Sequence, residues 1–77
     1  MILTISRGEA SYTVSKNLVE LGAIDDARAF DQYLSQNGYD KKILTGVHII
    51  PLGADYQSVA EAITSYQEWV KLTQNIG

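Results

Sequence analysis

Apolar positions along the chain fall into two rhythms. Ile2, Leu3 and Ile5 form a short β-branched run that ends toward Gly8, and Ile2–Ser6 predicts a strand. From Ser11, apolar residues recur at helical spacing at Val14, Leu18 and Leu21. Ser11 is placed to cap that helix, and Gly22 to stop it in the left-handed conformation. Asp25 and Asp26 are placed to cap a second helix, whose apolar stripe is Ala27, Phe30 and Leu34 and whose end is Asn37-Gly38. After the polar loop Tyr39–Lys42, the run Leu44–Ile50 predicts a second strand. Pro51 lacks an N–H and marks that strand's end or an edge position. Asp55 begins a third helix with Val59, Ile63, Tyr66 and Val70 on one face.

The predicted order is β-α-α-β-α, a small α+β fold. Two strands alone do not hold together in water, so the favoured arrangement is an antiparallel pair with two helices packed on one face. Ile5, Gly8, Val14 and Leu18 are matched by Ile50, Gly53, Val59 and Ile63 at one constant offset of 45 residues. The favoured explanation is that any two strand-turn-helix units look alike. Internal duplication is the sharper and weaker one, and a solenoid would need about three repeats.

Length and composition narrow the picture. Seventy-seven residues allow one domain, over 1–77, with a core expected at about 2–63. A core that small is marginal. With no cysteine and one histidine, His48, no disulfide, metal cluster or cofactor is expected, so stability must come from packing or a partner chain. The net charge is −3, and Arg7, Lys16, Arg28, Lys41, Lys42 and Lys71 are scattered, which argues against nucleic acid as a partner. No run approaches the roughly 18 apolar residues of a membrane span, and no signal peptide is visible, so this segment is expected to make no membrane contact of its own. The first strand starts almost at residue 1, as in a chain trimmed from a longer protein; a natural start is equally compatible.

The series Ile5, Gly8, Leu18, Gly22, Ile24, Phe30, Leu44, Gly46, Ile50 and Gly53, through "VSKNLVELGAI", "AFDQYL" and "ILTGVHIIPLGADYQSVAEAI", resembles the endolytic murein transglycosylase family (MltG, or YceG-like). The resemblance covers roughly residues 5–63 and rests on the combination rather than on any single piece. It implies a LysM-like βααβ subdomain, standing between a membrane anchor and a catalytic domain on the extracytoplasmic face of a bacterial membrane, near peptidoglycan. The family's catalytic glutamate lies in a later domain, and nothing in residues 64–77 resembles it. Two positions depart from the pattern: His48 stands where the family usually shows tyrosine, and Ala10 replaces a polar helix cap, with Ser11 able to cap one place later.

No catalytic residue is expected in this chain. Asp25 and Asp26 are adjacent and cannot flank a glycosidic bond. Glu61 and Glu68 fall on a solvated helix face, and Glu9, beside Gly8, reads best as a surface carboxylate. A Ser-His-Asp arrangement has no supporting motif, and Gly8–Ser11 lacks the second glycine and the lysine of a phosphate loop. The resemblance implies instead a shallow groove for N-acetylglucosamine-containing glycans, formed by Arg7–Ser11 and Asn37–Gly46. Its candidates are Arg7, Glu9, Ser11, Asn37 and Tyr39, with Tyr39 stacking on a sugar ring. The plainer role for Tyr39, covering a core edge, carries more weight. His48 reads as a strand residue facing solvent or the third helix rather than as a ligand.

Continued from Tyr56 to about Ile76, the third helix would be roughly 30 Å long, more than so small a core can cover. Tyr66, Trp69, Val70, Leu72 and Ile76 on this interaction helix would then meet a neighbouring domain or a second copy of the chain, with fraying of the last turns an equal alternative. Three functional readings follow: a non-catalytic module at glycan strands, a protein-interaction or self-association module without sugar affinity, and the non-catalytic part of a lytic transglycosylase.

Overall fold

A computed structural model of the chain describes residues 1–66. Its elements are β1 (Ile2–Ile5), α1 (Ser11–Leu21), α2 (Ala27–Gln36), β2 (Gly46–Ile49) and α3 (Tyr56–Ile63). β1 and β2 pair antiparallel, with Ile2 opposite Ile49, Leu3 opposite His48, Thr4 opposite Val47 and Ile5 opposite Gly46. Met1 and Ile50 extend the ladder: the Met1 amino group donates to the Ile50 carbonyl at 3.0 Å, and the Ile50 N–H donates back at 2.6 Å.

Alternation along the strands sends Leu3, Ile5, His48 and Ile50 inward. α1 packs on β1, α3 packs on β2, and α2 bridges the two helices. Val14 and Leu18, Phe30 and Leu34, and Val59 and Ile63 each supply the buried stripe of their helix, one turn apart as helical spacing requires. All six echoed apolar positions are buried, and both echoed glycines are left-handed, Gly8 at φ 77° and Gly53 at φ 65°. The echoed positions therefore play the same parts in both units.

Gly22 ends α1 at φ 87°, and the Asp26 and Asp55 carboxylates cap α2 and α3 by accepting from the N–H groups of Ala29 and Ser58. Several boundaries move. The strands are Ile2–Ile5 and Gly46–Ile49, shorter than the sequence runs suggest. Ser11 is not the cap of α1. Ala10 holds the N-cap position with no side-chain bond, while Ser11 is the first helical residue and donates its hydroxyl to Asp31 at 2.7 Å.

α3 is eight residues long and does not continue through Tyr66. Thr64 and Ser65 turn their hydroxyls back onto the carbonyls of Ala60 and Glu61, at 2.8 and 2.6 Å. Tyr66 lies beyond the helix and is exposed. Glu68, Trp69, Val70, Leu72 and Ile76 lie outside the described residues.

Candidate functional site

The register sets the geometry of the expected groove. Because Ile5 pairs with Gly46, the turn that leaves β1 and the segment that enters β2 lie at the same end of the sheet. In that turn the Glu9 N–H donates to the Ser6 carbonyl, and the Glu9 carboxylate accepts from the Ser6 N–H at 3.4 Å. Glu9 thus closes its own loop, while Arg7 stands exposed beside it.

Asn37 and Tyr39 are shaped by the end of α2. Asn37 is the exposed C-cap residue, and its side-chain amide donates to the Tyr33 carbonyl at 2.9 Å. The Tyr39 N–H donates to the Leu34 carbonyl at 2.9 Å, which folds the chain back over the helix. Its half-buried ring stacks on Tyr33, with centroids 6.1 Å apart and planes 20° apart. Tyr33 in turn meets Tyr56 edge-on at 5.7 Å, and Tyr56 meets the buried Phe30 edge-on at 5.2 Å. The result is a ledge of Tyr39, Tyr33 and Tyr56, continuous with the core through Phe30.

Ser11 and Tyr39 are not brought together. Their anchors on α2, Asp31 and Tyr33, are two residues apart and so about 160° apart around the helix. Arg7, Glu9 and Ser11 accordingly form one group, near β1 and α1. Asn37 and Tyr39 form another, on the α3 side of α2. Tyr33 and Tyr56 were not among the residues expected to matter. The available signal was the spacing of Tyr33 three residues after Phe30, which places both on neighbouring positions of one helix face.

Burial pushes the Tyr33 phenol above its ordinary range, and the charges of Tyr39, Asp55 and Glu61 add to that. Burial also raises the Tyr56 phenol, with Asp25 and Asp26 contributing. The Asp55 carboxyl is held below its usual range because the backbone N–H and the side chain of Ser58 both bond to it. Both tyrosines therefore remain neutral hydroxyls, able to donate and accept at once.

Compared with known proteins, the chain matches no family model, no curated protein and no solved structure.

The remaining geometry offers less. A shallow, open depression of about 490 Å³ lies between Gly22–Asp25 and Ala54–Tyr56, at the opposite end of the sheet from Arg7. Among the described residues no cluster of histidine, cysteine or carboxylate side chains could hold a metal ion. Among the same residues no helix is long and apolar enough to cross a membrane. Among the described residues the outer face of the sheet carries exposed apolar side chains: Ile2 is 66% exposed, Val47 52% and Ile49 42%, with Leu52 beyond them at 80%.

Proposed function

We propose that the chain is a non-catalytic, LysM-like module of an MltG/YceG-like envelope protein, which places that protein at peptidoglycan glycan strands. The observation that supports this reading is the β1-α1-α2-β2 frame, an antiparallel pair joined by two consecutive helices that share one core. That is the unit the resemblance calls for. The tyrosine ledge adds a chemical reason. Tyr39 and Tyr33 offer apolar ring surface with a hydroxyl at the tip, suited to a sugar ring with its polar rim, and Asn37 stands beside them to meet an N-acetyl amide. Arg7, Glu9 and Ser11 form a second, separate group near β1 and α1. The module acts outside the bacterial cytoplasmic membrane. Where the whole protein is a lytic transglycosylase, its chemistry resides in residues other than these.

Co-sedimentation with purified peptidoglycan tests the reading. The wild-type protein is expected in the pellet, and Tyr39→Ala is expected to weaken binding about tenfold, the equivalent of roughly 1.4 kcal/mol. Wild-type protein left in the supernatant counts against glycan binding.

A second reading, self-association, is favoured by the exposed apolar side chains on the outer face of the sheet. Ile2, Val47 and Ile49 carry no charge, so a second copy related by a two-fold axis meets no repulsion in a chain that is otherwise acidic. Sedimentation velocity of the wild type and of Val47→Lys separates the two: a dimer abolished by the lysine supports this reading, and a monomer in both removes it.

A further inference from the structure

His48 is fully buried, on the inward face of β2, and each of its ring nitrogens faces a backbone carbonyl. Nδ1 lies 2.9 Å from the carbonyl oxygen of Ala62, near the end of α3. Nε2 lies 2.8 Å from the carbonyl oxygen of Leu44, just before β2. A carbonyl oxygen accepts and cannot donate. A neutral imidazole has one N–H and one bare nitrogen, so it serves one of these oxygens and sets a lone pair against the other. The doubly protonated ring donates to both. We propose that His48 is a proton-dependent latch: the imidazolium ties the C-terminal turn of α3 to the segment entering β2, and release of one proton opens one of the two ties.

Burial disfavours a charged ring, and the two carbonyl oxygens that face its nitrogens favour one. Ala62 belongs to the last turn of α3, where the helix dipole presents its negative end. The Tyr66 ring lies parallel to the imidazole, with centroids 6.4 Å apart and planes 5° apart. From β1 the opposing residue is Leu3, which is apolar. The titratable groups nearest in sequence to the two carbonyls are Glu61 on the exposed side of α3 and Lys42 in the loop before Leu44, both pointing to solvent. A second bond reinforces the same junction, as the Leu44 N–H donates to the Ile63 carbonyl at 3.0 Å. The His48 bridge and this backbone bond together clamp the end of α3.

The direction of the pH effect follows from linkage. A folded state that holds a proton the unfolded chain gives up loses stability as pH rises, by up to about tenfold in the folding constant per pH unit. The latch is thus closed in acid and loosened in base, and it stands independently of any glycan binding.

Long-range ¹H–¹⁵N correlation spectra of the wild-type protein read the ring directly. Near neutral pH, both His48 nitrogens are expected at the positions of protonated ring nitrogens; one bare nitrogen in the folded protein overturns the proposal. Denaturation measured from about pH 5 to pH 8 supplies an independent readout. The wild type is expected to lose stability with rising pH across this range, and His48→Gln, which does not titrate, to give a flatter profile. Parallel profiles overturn the latch. If the glutamine variant does not fold, the wild-type spectrum still decides the matter.

Discussion

Ala10 and Asp55 occupy equivalent positions, each the N-cap of the helix that follows a left-handed glycine. Their backbones are nearly the same, φ −70° and ψ 150° at Ala10 against φ −78° and ψ 175° at Asp55. Asp55 accepts a hydrogen bond from the Ser58 N–H at 2.9 Å, whereas Ala10 has no side chain to offer one. The echo between the two units therefore extends to the backbone of the cap, where only Asp55 carries a side chain that serves it.

Supplying a capping side chain at Ala10 should stabilise the protein. Ala10→Asp is expected to raise the unfolding free energy by about 1 kcal/mol, since the backbone is already in the capping conformation. Urea denaturation checks it, and an unchanged or lowered midpoint would mean that the two caps are not equivalent.

The Asp55 cap should show itself in acid. Its carboxyl is held below the ordinary range by bonds from Ser58, so the folded state favours the charged form. The resulting stabilisation is complete above the ordinary carboxylate range and is lost as pH falls from there through the lowered value of the folded state. Asp55→Asn keeps a capping oxygen without the titration, and its stability curve should be flatter below about pH 4. Identical acid limbs for both proteins would remove Asp55 from the explanation.

Gly8 and Gly53 should respond alike to a methyl group. Both sit at positive φ, and a Cβ at either position meets no other atom, so the cost of alanine is backbone strain alone. Each substitution is expected to destabilise by about 1–2 kcal/mol. A large difference between them, measured by thermal unfolding, would break the structural equivalence of the two turns.

Apart from its charge, the His48 side chain fills space at the junction of β2 and α3. His48→Ala leaves the carbonyls of Ala62 and Leu44 without the ring and opens a hole beside Leu3, and is expected to cost roughly 2–4 kcal/mol. A loss below 1 kcal/mol by chemical denaturation would contradict that role.

Much of the frame was legible in the sequence because its signals are local. Helical spacing picked out Val14 and Leu18, Phe30 and Leu34, and Val59 and Ile63, all of them buried. Asp26, Asp55 and Gly22 mark helix ends through bonds or backbone angles set within a few residues of themselves. What the sequence hid depends on pairing between distant parts. The run Leu44–Ile50 is almost wholly apolar, so nothing local shows which face is inward; the pairing of Leu3 with His48 decides it and buries a histidine where a solvent-facing one was equally reasonable. Apolar spacing carried the third helix past its end, because that end falls at Thr64 and Ser65, where no glycine or proline marks it. For the candidate site, Asn37 and Tyr39 were visible as a helix end followed by an aromatic residue. The partnership of Tyr39 with Tyr33 and Tyr56 was not, since it joins α2 to α3 across the core.

The most direct test of glycan recognition is a titration of the ¹⁵N-labelled protein with N-acetylglucosamine oligomers, followed at backbone amides. Saturable shifts concentrated at Asn37–Gly46 and Arg7–Ser11, with Tyr33 among the residues that respond, are the expected result. Amides that stay still at millimolar oligomer, or that move only along the outer face of the sheet at Val47 and Ile49, would contradict it.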